Sequence, residues 1–383
     1  MPIQFQVIGM VAAALLAAAL IALVTTPVVR SLAFKMRAVD VPKDNRRMHN
    51  HPIPRMGGLA IFLGFLFSVL IFVPLTDELR GMLLGAVVIV VLGVLDDIYA
   101  LPAMPKFLVQ IGAALIAVLQ GNVITHLSNP NLFSASPIWN LGVLSIPFSV
   151  LWIVAITNAV NLIDGLDGLA CGVSAISSMT LLVIALTVSE PQVALLMAAL
   201  AGACLGFLPY NLNPAKIFMG DTGSTFLGFI LAVVSIQGLF KFYAIISFAV
   251  PFLMLGLPIF DTCFAILRRV SHGQSPMSPD RGHIHHRLID MGFSQKQAVA
   301  VLYIISAILG LSAVVLTTIG VVRAMLFLLA LCAAGAVAGK LYLDRVNQGE
   351  PPPSTGSSRV AKPRRSRPME SGNYFGEEDR SDK

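Results

Sequence analysis

The chain has 383 residues, of which 56% are hydrophobic and 12% are charged, and its formal net charge at pH 7 is +6. With a mean hydropathy of +0.81, this composition excludes an ordinary soluble globular protein. It indicates a helical integral membrane protein, because backbone polar groups inside a bilayer must be satisfied within each span and the alternating pattern of a β-barrel is absent from the sequence.

Apolar segments follow one another along most of the chain, and many approach the roughly 20 residues that a transmembrane helix needs. The sequence therefore predicts an all-α, polytopic membrane domain over residues 1–346. Residues 347–383 are rich in Pro, Ser and Arg and are predicted to form a disordered cytoplasmic tail. About eleven spans are expected, over residues 5–29, 57–75, 81–95, 107–121, 139–157, 170–188, 193–208, 224–239, 242–267, 297–318 and 321–343.

Lys and Arg are distributed unevenly between the two sets of connecting segments. An external N-terminus places nearly all of the 26 Lys and Arg residues on the inner side and leaves Arg80, Lys241 and Arg323 outside. Cytoplasmic loops of membrane proteins carry this excess of positive charge. The bias therefore predicts an external N-terminus and a cytoplasmic C-terminus.

Acidic motifs recur in the gaps between the apolar segments, and the predicted topology brings all of them out on the cytoplasmic face. A single polar site assembled from several helix ends would explain this arrangement. An ion-coupled transporter is the alternative, but its acidic residues are expected near the middle of the spans. The motifs are Asp96-Asp97, Asp164-Gly-Leu-Asp167, Gly220-Asp221 and Asp280-Arg-Gly-His-Ile-His-His286.

Asp96 and Asp97 end the third predicted span. Negative charge at the C-terminus of a helix opposes the helix dipole, so the pair calls for a cation. Adjacent helical residues point in different directions. One carboxylate is therefore expected to face a metal or phosphate while the other orients a neighbour, and Lys106 is expected to reach a phosphate on the same surface.

Two further motifs, over residues 161–167 and 218–221, contain candidate ligand-binding side chains. Asn161, Asp164 and Asp167 recur at every third residue, so a helical turn would place them on one side. Asp221 stands just before a helix, where it is either an N-cap or a Mg²⁺ ligand. The other carboxylates on the same face favour the metal. Phe218 is expected to stack on a base or to face lipid.

Two basic segments complete the predicted inner face. The His-rich run in the longest internal loop lacks the HExxH-like arrangement or Cys residues of a zinc site, which favours an anion clamp. The first internal loop is either a topology determinant that binds lipid headgroups or part of the site. The candidates in these loops are Arg281, His283, His285 and His286, and His49 and Arg55.

Acidic groups for a divalent cation and basic groups for phosphates, together at an inner membrane surface, favour phosphoryl transfer between a soluble nucleotide conjugate and a lipid phosphate. No nucleic-acid partner is expected. The order of the motifs resembles that of the polyprenyl-phosphate N-acetylhexosamine-1-phosphate transferases of glycosyltransferase family 4, and the resemblance covers roughly residues 35–295.

Two features resemble the bacterial UDP-GlcNAc branch of this family, namely the run Pro52-Ile-Pro-Arg-Met-Gly-Gly58 and the form His283-Ile-His-His-Arg287. The branch that transfers phospho-MurNAc-pentapeptide has consecutive His residues instead and is the alternative. The resemblance implies transfer of GlcNAc-1-phosphate from UDP-GlcNAc to undecaprenyl phosphate with release of UMP. The product would start a cell-envelope glycan such as teichoic acid or O-antigen, and the enzyme would be a possible homodimer in the bacterial plasma membrane.

The resemblance also implies roles for individual residues. Asp221, with Asp97, would bind Mg²⁺, for which Mn²⁺ would substitute. Asp96 and Asp97 would act with Lys106 on the lipid phosphate, as base or by orientation, and attack would be direct or through an Asp adduct. The residues implied in substrate binding are Asn161, Asp164, Asp167, Asn211 and Phe218 for the nucleotide, Arg281, His283, His285 and His286 for the diphosphate and sugar, and Arg55 and His49 in the first loop.

Overall fold

Twelve helices and two short β-hairpins make up the parts of the chain that the computed structural model describes. These parts are residues 2–41, 52–128, 138–240, 249–275 and 282–319, with five single positions between 323 and 330. The chain divides into units of residues 1–328 and 329–383, and every element below belongs to the first. His49, Arg281, most of the predicted last span and the predicted tail lie outside the described residues.

The helices are connected mostly by short turns. Strands β1 (Val39–Asp40) and β2 (Ile53–Pro54) pair antiparallel, as do β3 (His126–Ser128) and β4 (Ile138–Asn140). The helices are α1 (Pro2–Lys35), α2 (Gly58–Phe72), α3 (Asp77–Tyr99), α4 (Ala103–Leu119), α5 (Ser145–Leu162), α6 (Leu169–Thr187), α7 (Pro191–Asn211), α8 (Gly220–Ser235), α9 (Ala249–Met254), α10 (Gly256–Ser271), α11 (Ile284–Asp290) and α12 (Gln295–Ile319).

Among the described residues, six helical segments are long and apolar enough to cross a membrane. They comprise α1, α3, α6, α7 and α12, and α5 together with the short turn before it. Helices α2 and α4 are also apolar but shorter. The all-α class and the multi-pass membrane setting are confirmed, whereas the count of eleven spans and their direction stay predictions.

Within the predicted span over residues 242–267, the described residues 249–267 form two helices, α9 and α10, and not one continuous helix. The helical path is interrupted at Leu255, where φ is −103° and ψ is 16°, and α10 begins at the next residue. Pro258 supplies the physical reason, because proline has no amide hydrogen to donate to the carbonyl four residues earlier. That carbonyl, of Met254, accepts a hydrogen bond from Ser177 Oγ at 2.7 Å instead.

Helix α8 is the central helix of the bundle. Every residue from Thr222 to Ser235 is buried, and the helix packs between α3 and α5, with α2 and α6 also in contact. The Phe226 ring meets Phe62 and Phe65 of α2 edge to face, with centroids 5.5 and 5.6 Å apart. Because α8 is surrounded, its first residues, Gly220 and Asp221, lie in the middle of one end of the bundle.

Helices α1 and α7 pack closely through a Gly-x-x-x-Gly pattern. A Cβ atom at Gly202 would overlap the backbone of Leu15, and one at Gly206 would overlap the backbone of Ala19. Small residues at this spacing let helix backbones approach inside membranes, where packing replaces the hydrophobic effect as the main attraction between helices. The pattern therefore joins two helices of the same chain.

We expect Gly206→Ala to destabilise the protein, because the added methyl group must push α7 away from the α1 backbone. Overpacking of this kind typically costs about 1–3 kcal/mol. The matched control is Gly112→Ala on α4, where a Cβ would meet no atom within 4 Å. Thermal denaturation of both variants in detergent checks the prediction, and equal midpoints would contradict it.

Candidate active site

Asp97 holds the beginning of α8. Its carboxylate, in the last turn of α3, accepts hydrogen bonds from the backbone N of Asp221 at 3.0 Å and of Thr222 at 3.2 Å, and from Thr222 Oγ1 at 2.6 Å. Gly93, one turn earlier, touches the backbone of Thr222, and a Cβ there would overlap it. The close approach of the two helices lets this buried carboxylate serve as a cap for the amides of α8.

Lys106 joins two carboxylates from different helices. Its ammonium lies 2.8 Å from Asp96 Oδ2 and 3.1 Å from Asp221 Oδ2. Lys106 is brought close to Asp96 by the turn after α3, where Ala100 adopts a left-handed conformation and the chain reverses direction into α4. Asp96 Oδ1 also accepts a hydrogen bond from Leu101 N at 2.7 Å, which fixes this turn.

Asp221 is the most accessible acid of this cluster, with 32% of its side chain exposed. Its other oxygen, Oδ1, faces the amide of Asn161 at 3.3 Å, and the same amide donates to Ser224 Oγ at 2.8 Å. The expected single polar site therefore contains side chains from α3, α4, α5 and α8.

Two cavities meet at Asp221 and Asn161, which line both of them. The larger has a volume of about 1050 Å³ and a mostly apolar wall from α4, α5 and α10. The smaller, of about 350 Å³, is polar. Apolar lining residues of the first include Phe107, Ile111, Phe148, Leu151, Trp152 and Phe252. The second is lined by Asp40, Arg55, Asp97, Asp164, Asp167, Asn211, Phe218, His286, Asp290 and Gln295, among others.

The turn after α5 places Asp164 and Asp167 at the polar cavity. Helix α5 ends at Leu162, so these two acids lie on an irregular turn and not on the helical turn that their spacing predicted. Burial raises the pKa of Asp164 to about 8, and the negative charges of Asp221, Asp97 and Asp167 add to the effect. Asp164 is therefore poised to ionise when a positive charge enters the cavity.

Asp167 has a structural partner. Its Oδ2 accepts hydrogen bonds from Asn213 Nδ2 at 2.9 Å and from Ala215 N at 3.0 Å. Asn213 also donates to Gln295 Oε1 at 2.6 Å, at the start of α12. This network fixes the segment that leads from α7 to α8, and therefore one wall of the polar cavity.

Asn211 and Phe218 lie on the same wall. The buried Asn211 donates through Nδ2 to Ile217 O at 3.1 Å, while its Oδ1 has no hydrogen-bond partner within the described part of the chain. Phe218 is half-buried, and its backbone N donates to Pro54 O at 2.8 Å. A buried acceptor without a donor is uncommon in proteins and points to a ligand group.

Arg55 reaches the polar cavity from the hairpin formed by β1 and β2. Its guanidinium lies 2.9 Å from Asp40 Oδ1, and its backbone N donates to Ala38 O at 2.8 Å. Gly57 N donates to Phe218 O at 2.9 Å, so the hairpin is joined to the segment before α8. The first internal loop thus contributes to the site as well as to the charge bias.

The three histidines of the His-rich run have neighbouring rings, with centroids 5.7 Å apart for His283 and His285 and 4.3 Å apart for His285 and His286. His283 lines the apolar cavity, and His286 lines the polar one. His285 is buried against Gly165, where a Cβ would overlap its ring. Burial lowers the pKa of His285 to about 4, and the positive charge of His286 acts in the same direction. The neutral His285 therefore packs α11 against the turn that carries Asp164, and its ring lies between those of His283 and His286.

Several residues at the site were not expected from the sequence. Asp40, Asp290 and Gln295 line the polar cavity, and Gln110 and Asn158 line the apolar one, where Asn158 Nδ2 donates to Gln110 Oε1 at 2.6 Å. Asp261, on α10, contacts His283 Nδ1 at 2.8 Å. Its signal in the sequence was its position as an ionisable residue inside an apolar run, a feature that commonly marks a functional site.

Comparison with known proteins agrees with this geometry. Residues 79–239 match the model of the family described as "Glycosyl transferase family 4". This stretch contains Asp96, Asp97, Lys106, the turn with Asp164, and Asp221, but not the His-rich run.

Curated relatives match most of the chain. A probable undecaprenyl-phosphate N-acetylglucosaminyl 1-phosphate transferase of Bacillus subtilis is 46% identical over 295 residues, which are 77% of this chain and 81% of that protein. A decaprenyl-phosphate N-acetylglucosaminephosphotransferase of Mycolicibacterium smegmatis is 37% identical over 76% of this chain and 78% of that protein.

A phospho-N-acetylmuramoyl-pentapeptide-transferase of Staphylococcus aureus is 34% identical over 67% of this chain and 83% of that protein. All three relatives are transferases of sugar phosphates, and the acidic clusters of the site lie within a matched family region. The chain therefore belongs to glycosyl transferase family 4, the polyprenyl-phosphate hexosamine-1-phosphate transferases, and is a multi-pass membrane enzyme of this type.

Proposed function

We propose that the protein transfers GlcNAc-1-phosphate from UDP-GlcNAc to undecaprenyl phosphate, releasing UMP and forming undecaprenyl-diphospho-GlcNAc. The observation that carries the proposal is the meeting of an apolar and a polar cavity at Asp221. A lipid phosphate and a sugar nucleotide need these two environments, and their phosphates must meet where the environments join. The printed name of the Bacillus relative, with the highest identity among the three compared, supports the choice of sugar and lipid.

The apolar cavity is proposed to hold the first part of the polyprenyl chain. Its wall is almost entirely aliphatic and aromatic, so burial of the chain is favourable at roughly 0.8 kcal/mol per CH₂ group. Lys106 lies at the end of this cavity that carries Asp221. Its ammonium is placed to attract the lipid phosphate, which draws the acceptor into one orientation.

The polar cavity is proposed to hold the uridine and diphosphate of the donor. Asn211 Oδ1 offers a buried acceptor for an N–H or O–H group of the nucleotide, and Phe218 offers a ring edge or face for the base. Arg55 supplies positive charge at the same cavity, and His286 supplies an imidazole ring. This assignment keeps the predicted roles of Asn161, Asp164, Asn211 and Phe218, while Asp167 acts mainly by holding the cavity wall.

The carboxylate oxygens at the site fit Mg²⁺, which prefers oxygen ligands and commonly takes one or two carboxylates together with substrate phosphates. Asp221 is accessible and faces both cavities. The described residues contain no cluster of three or more His, Cys, Asp or Glu side chains that would by itself hold a metal, which agrees with a site completed by phosphate oxygens. When bound, the ion neutralises phosphate charge, and Mn²⁺ is expected to replace it.

Asp97 is assigned to holding α8 rather than to binding the metal. Its two oxygens already accept three hydrogen bonds from Asp221 and Thr222. Loss of these bonds would release the helix start that presents Asp221. Asp97 therefore acts on the reaction through the position of Asp221.

In the proposed reaction an oxygen of the lipid phosphate attacks the β-phosphorus of the donor, and the bond from that phosphorus to the bridging oxygen breaks. UMP leaves with the electron pair. Because the second pKa of a phosphomonoester is about 6, the nucleophile is largely ionised near pH 7 and needs little general-base help. Asp96 then serves by orienting Lys106, and positioning supplies much of the rate.

The reacting end of the bundle is proposed to face the cytoplasm of a bacterial cell. Lys35, Arg37, Arg55 and Lys106 lie at this end, which agrees with the positive-inside rule. The product would then be available to a glycosyltransferase that extends a lipid-linked glycan on the same face.

Purified protein supplied with UDP-GlcNAc, undecaprenyl phosphate and Mg²⁺ is expected to release UMP. Asp221→Asn should slow the release by at least about 100-fold, because a bound metal supplies several kcal/mol and each 1.4 kcal/mol is a factor of ten. A chelator should stop the reaction, and Mg²⁺ or Mn²⁺ should restore it.

The matched control is Asp77→Asn, an exposed acid in the first turn of α3 that pairs with Arg80, and it should leave the rate unchanged. Undiminished UMP release from Asp221→Asn would refute the role of this residue. UDP-MurNAc-pentapeptide offered in place of UDP-GlcNAc tests the alternative donor, and faster turnover with it would reverse the sugar assignment.

Filling the apolar cavity should weaken binding of the lipid alone. Ala155→Trp places a large ring from α5 in the cavity wall and should raise KM for undecaprenyl phosphate roughly tenfold, the effect of about 1–2 kcal/mol of lost burial. KM for UDP-GlcNAc should stay the same. Ala12→Trp, at an exposed position of α1, is the control, and an equal effect of the two variants would argue against the lipid site.

Removal of the buried acceptor should weaken binding of the nucleotide. Asn211→Leu is expected to raise KM for UDP-GlcNAc about 5- to 150-fold, because an unpaired ligand donor costs about 1–3 kcal/mol. Steady-state kinetics with each substrate varied in turn measure the effect. A rise confined to KM for the lipid acceptor would place the nucleotide elsewhere.

A further inference from the structure

Asp261 is a buried acid that the proposed reaction does not yet use. Its side chain is 4% exposed, and its Oδ2 lies 2.8 Å from Nδ1 of His283, which is 6% exposed. Its Oδ1 accepts a hydrogen bond from Ile284 N at 2.8 Å. A buried carboxylate is costly unless its partners are well placed. Here both partners belong to the beginning of α11.

The contact with Asp261 orients the ring of His283. A carboxylate beside Nδ1 accepts the hydrogen bond of the proton on that nitrogen and stabilises the imidazolium, in which Nε2–H is the donor left for an anion. His283 lines the apolar cavity, as does Arg269, whereas His286 lines the polar one. His283 therefore belongs to the side of the site assigned to the lipid.

Other charged or titratable groups contact this ring or line the same cavity. Arg269 lies on α10, and the His285 ring is stacked 5.7 Å from His283 on α11. Asp96, Lys106 and Asp221 line the same cavity from α3, α4 and α8. The cavity thus carries cationic or hydrogen-bonding groups from α4, α10 and the start of α11, which can attract an anion into it.

We propose that His283, as an imidazolium, donates through Nε2–H to the phosphate of the lipid acceptor and that Asp261 is the positioning residue that orients the ring. The inference rests on the proposed function and deepens it, because it assigns His283 to binding undecaprenyl phosphate instead of UDP-GlcNAc. Asp261 also anchors the first turn of α11, so one carboxylate sets both the ring and the helix that carries it.

Two matched variants separate these roles. His283→Asn retains a nitrogen near the position of Nδ1 that can donate to Asp261 and removes the nitrogen that faces the cavity. Asp261→Asn retains an oxygen that can accept from Ile284 N and removes the charge that orients the ring. Thermal denaturation in detergent reports whether each variant keeps its fold.

With UMP release as the assay, each variant should raise KM for undecaprenyl phosphate roughly 10- to 100-fold, comparable to losses seen when a group that orients a functional histidine is removed. KM for UDP-GlcNAc should change less than about twofold. The double variant should be no worse than His283→Asn alone, because Asp261 acts through His283. His286→Asn should instead raise KM for UDP-GlcNAc.

An unchanged KM for the lipid in His283→Asn, or a rise in KM for the donor instead, would overturn the inference. Additive losses in the double variant would overturn the positioning role of Asp261. If Asp261→Asn does not fold, KM for the lipid in His283→Asn decides alone. An inactive wild-type protein would count against the proposed function, whereas an active wild type with unaffected variants would count only against this inference.

Discussion

The site depends on one contact between two helices, the capping of α8 by Asp97. The carboxylate at the end of α3 satisfies backbone amides at the start of α8 that have no partner within the helix. Because α8 is buried on all sides, this contact fixes the position of Asp221 along the axis of the bundle. Lys106 and Asn161 can then meet Asp221 from α4 and α5.

Near this contact, one Lys side chain forms ion pairs with two carboxylates. Among the described residues that line the two cavities, carboxylates outnumber Lys and Arg, and Lys106 is divided between Asp96 and Asp221. Such a cluster favours ligands that bring both a cation and phosphates, because the cation offsets the negative charge of the carboxylates and of the phosphates. The apolar cavity adjoins the cluster, so in the proposed function the lipid phosphate lies beside the acids while its chain stays in a nonpolar environment.

Much of the architecture could be predicted from the sequence, because hydropathy and helix-end motifs are local signals. The helical membrane class, most helix positions and the convergence of Asp96, Asp97, Asn161, Asp164 and Asp221 followed from them. The break at Leu255 was missed, since Pro258 lies within an apolar run that reads as one span and its effect depends on Ser177 from a distant helix. The sequence also could not tell that His283 lines the apolar cavity and His286 the polar one, because ring direction depends on what packs against α11.

The sequence by itself determined that the chain is a helical membrane protein whose acidic and basic motifs lie mostly between apolar segments, because composition and spacing distinguish segments that can be buried in lipid from segments that cannot. Only the tertiary structure decided which carboxylate does what. Asp97 became a helix cap, Asp167 a brace for Asn213, Asp261 a partner of His283, and Asp221 the accessible acid between two cavities. Identical side chains acquire different roles because neighbouring donors, burial and charge come from elements far apart in the chain.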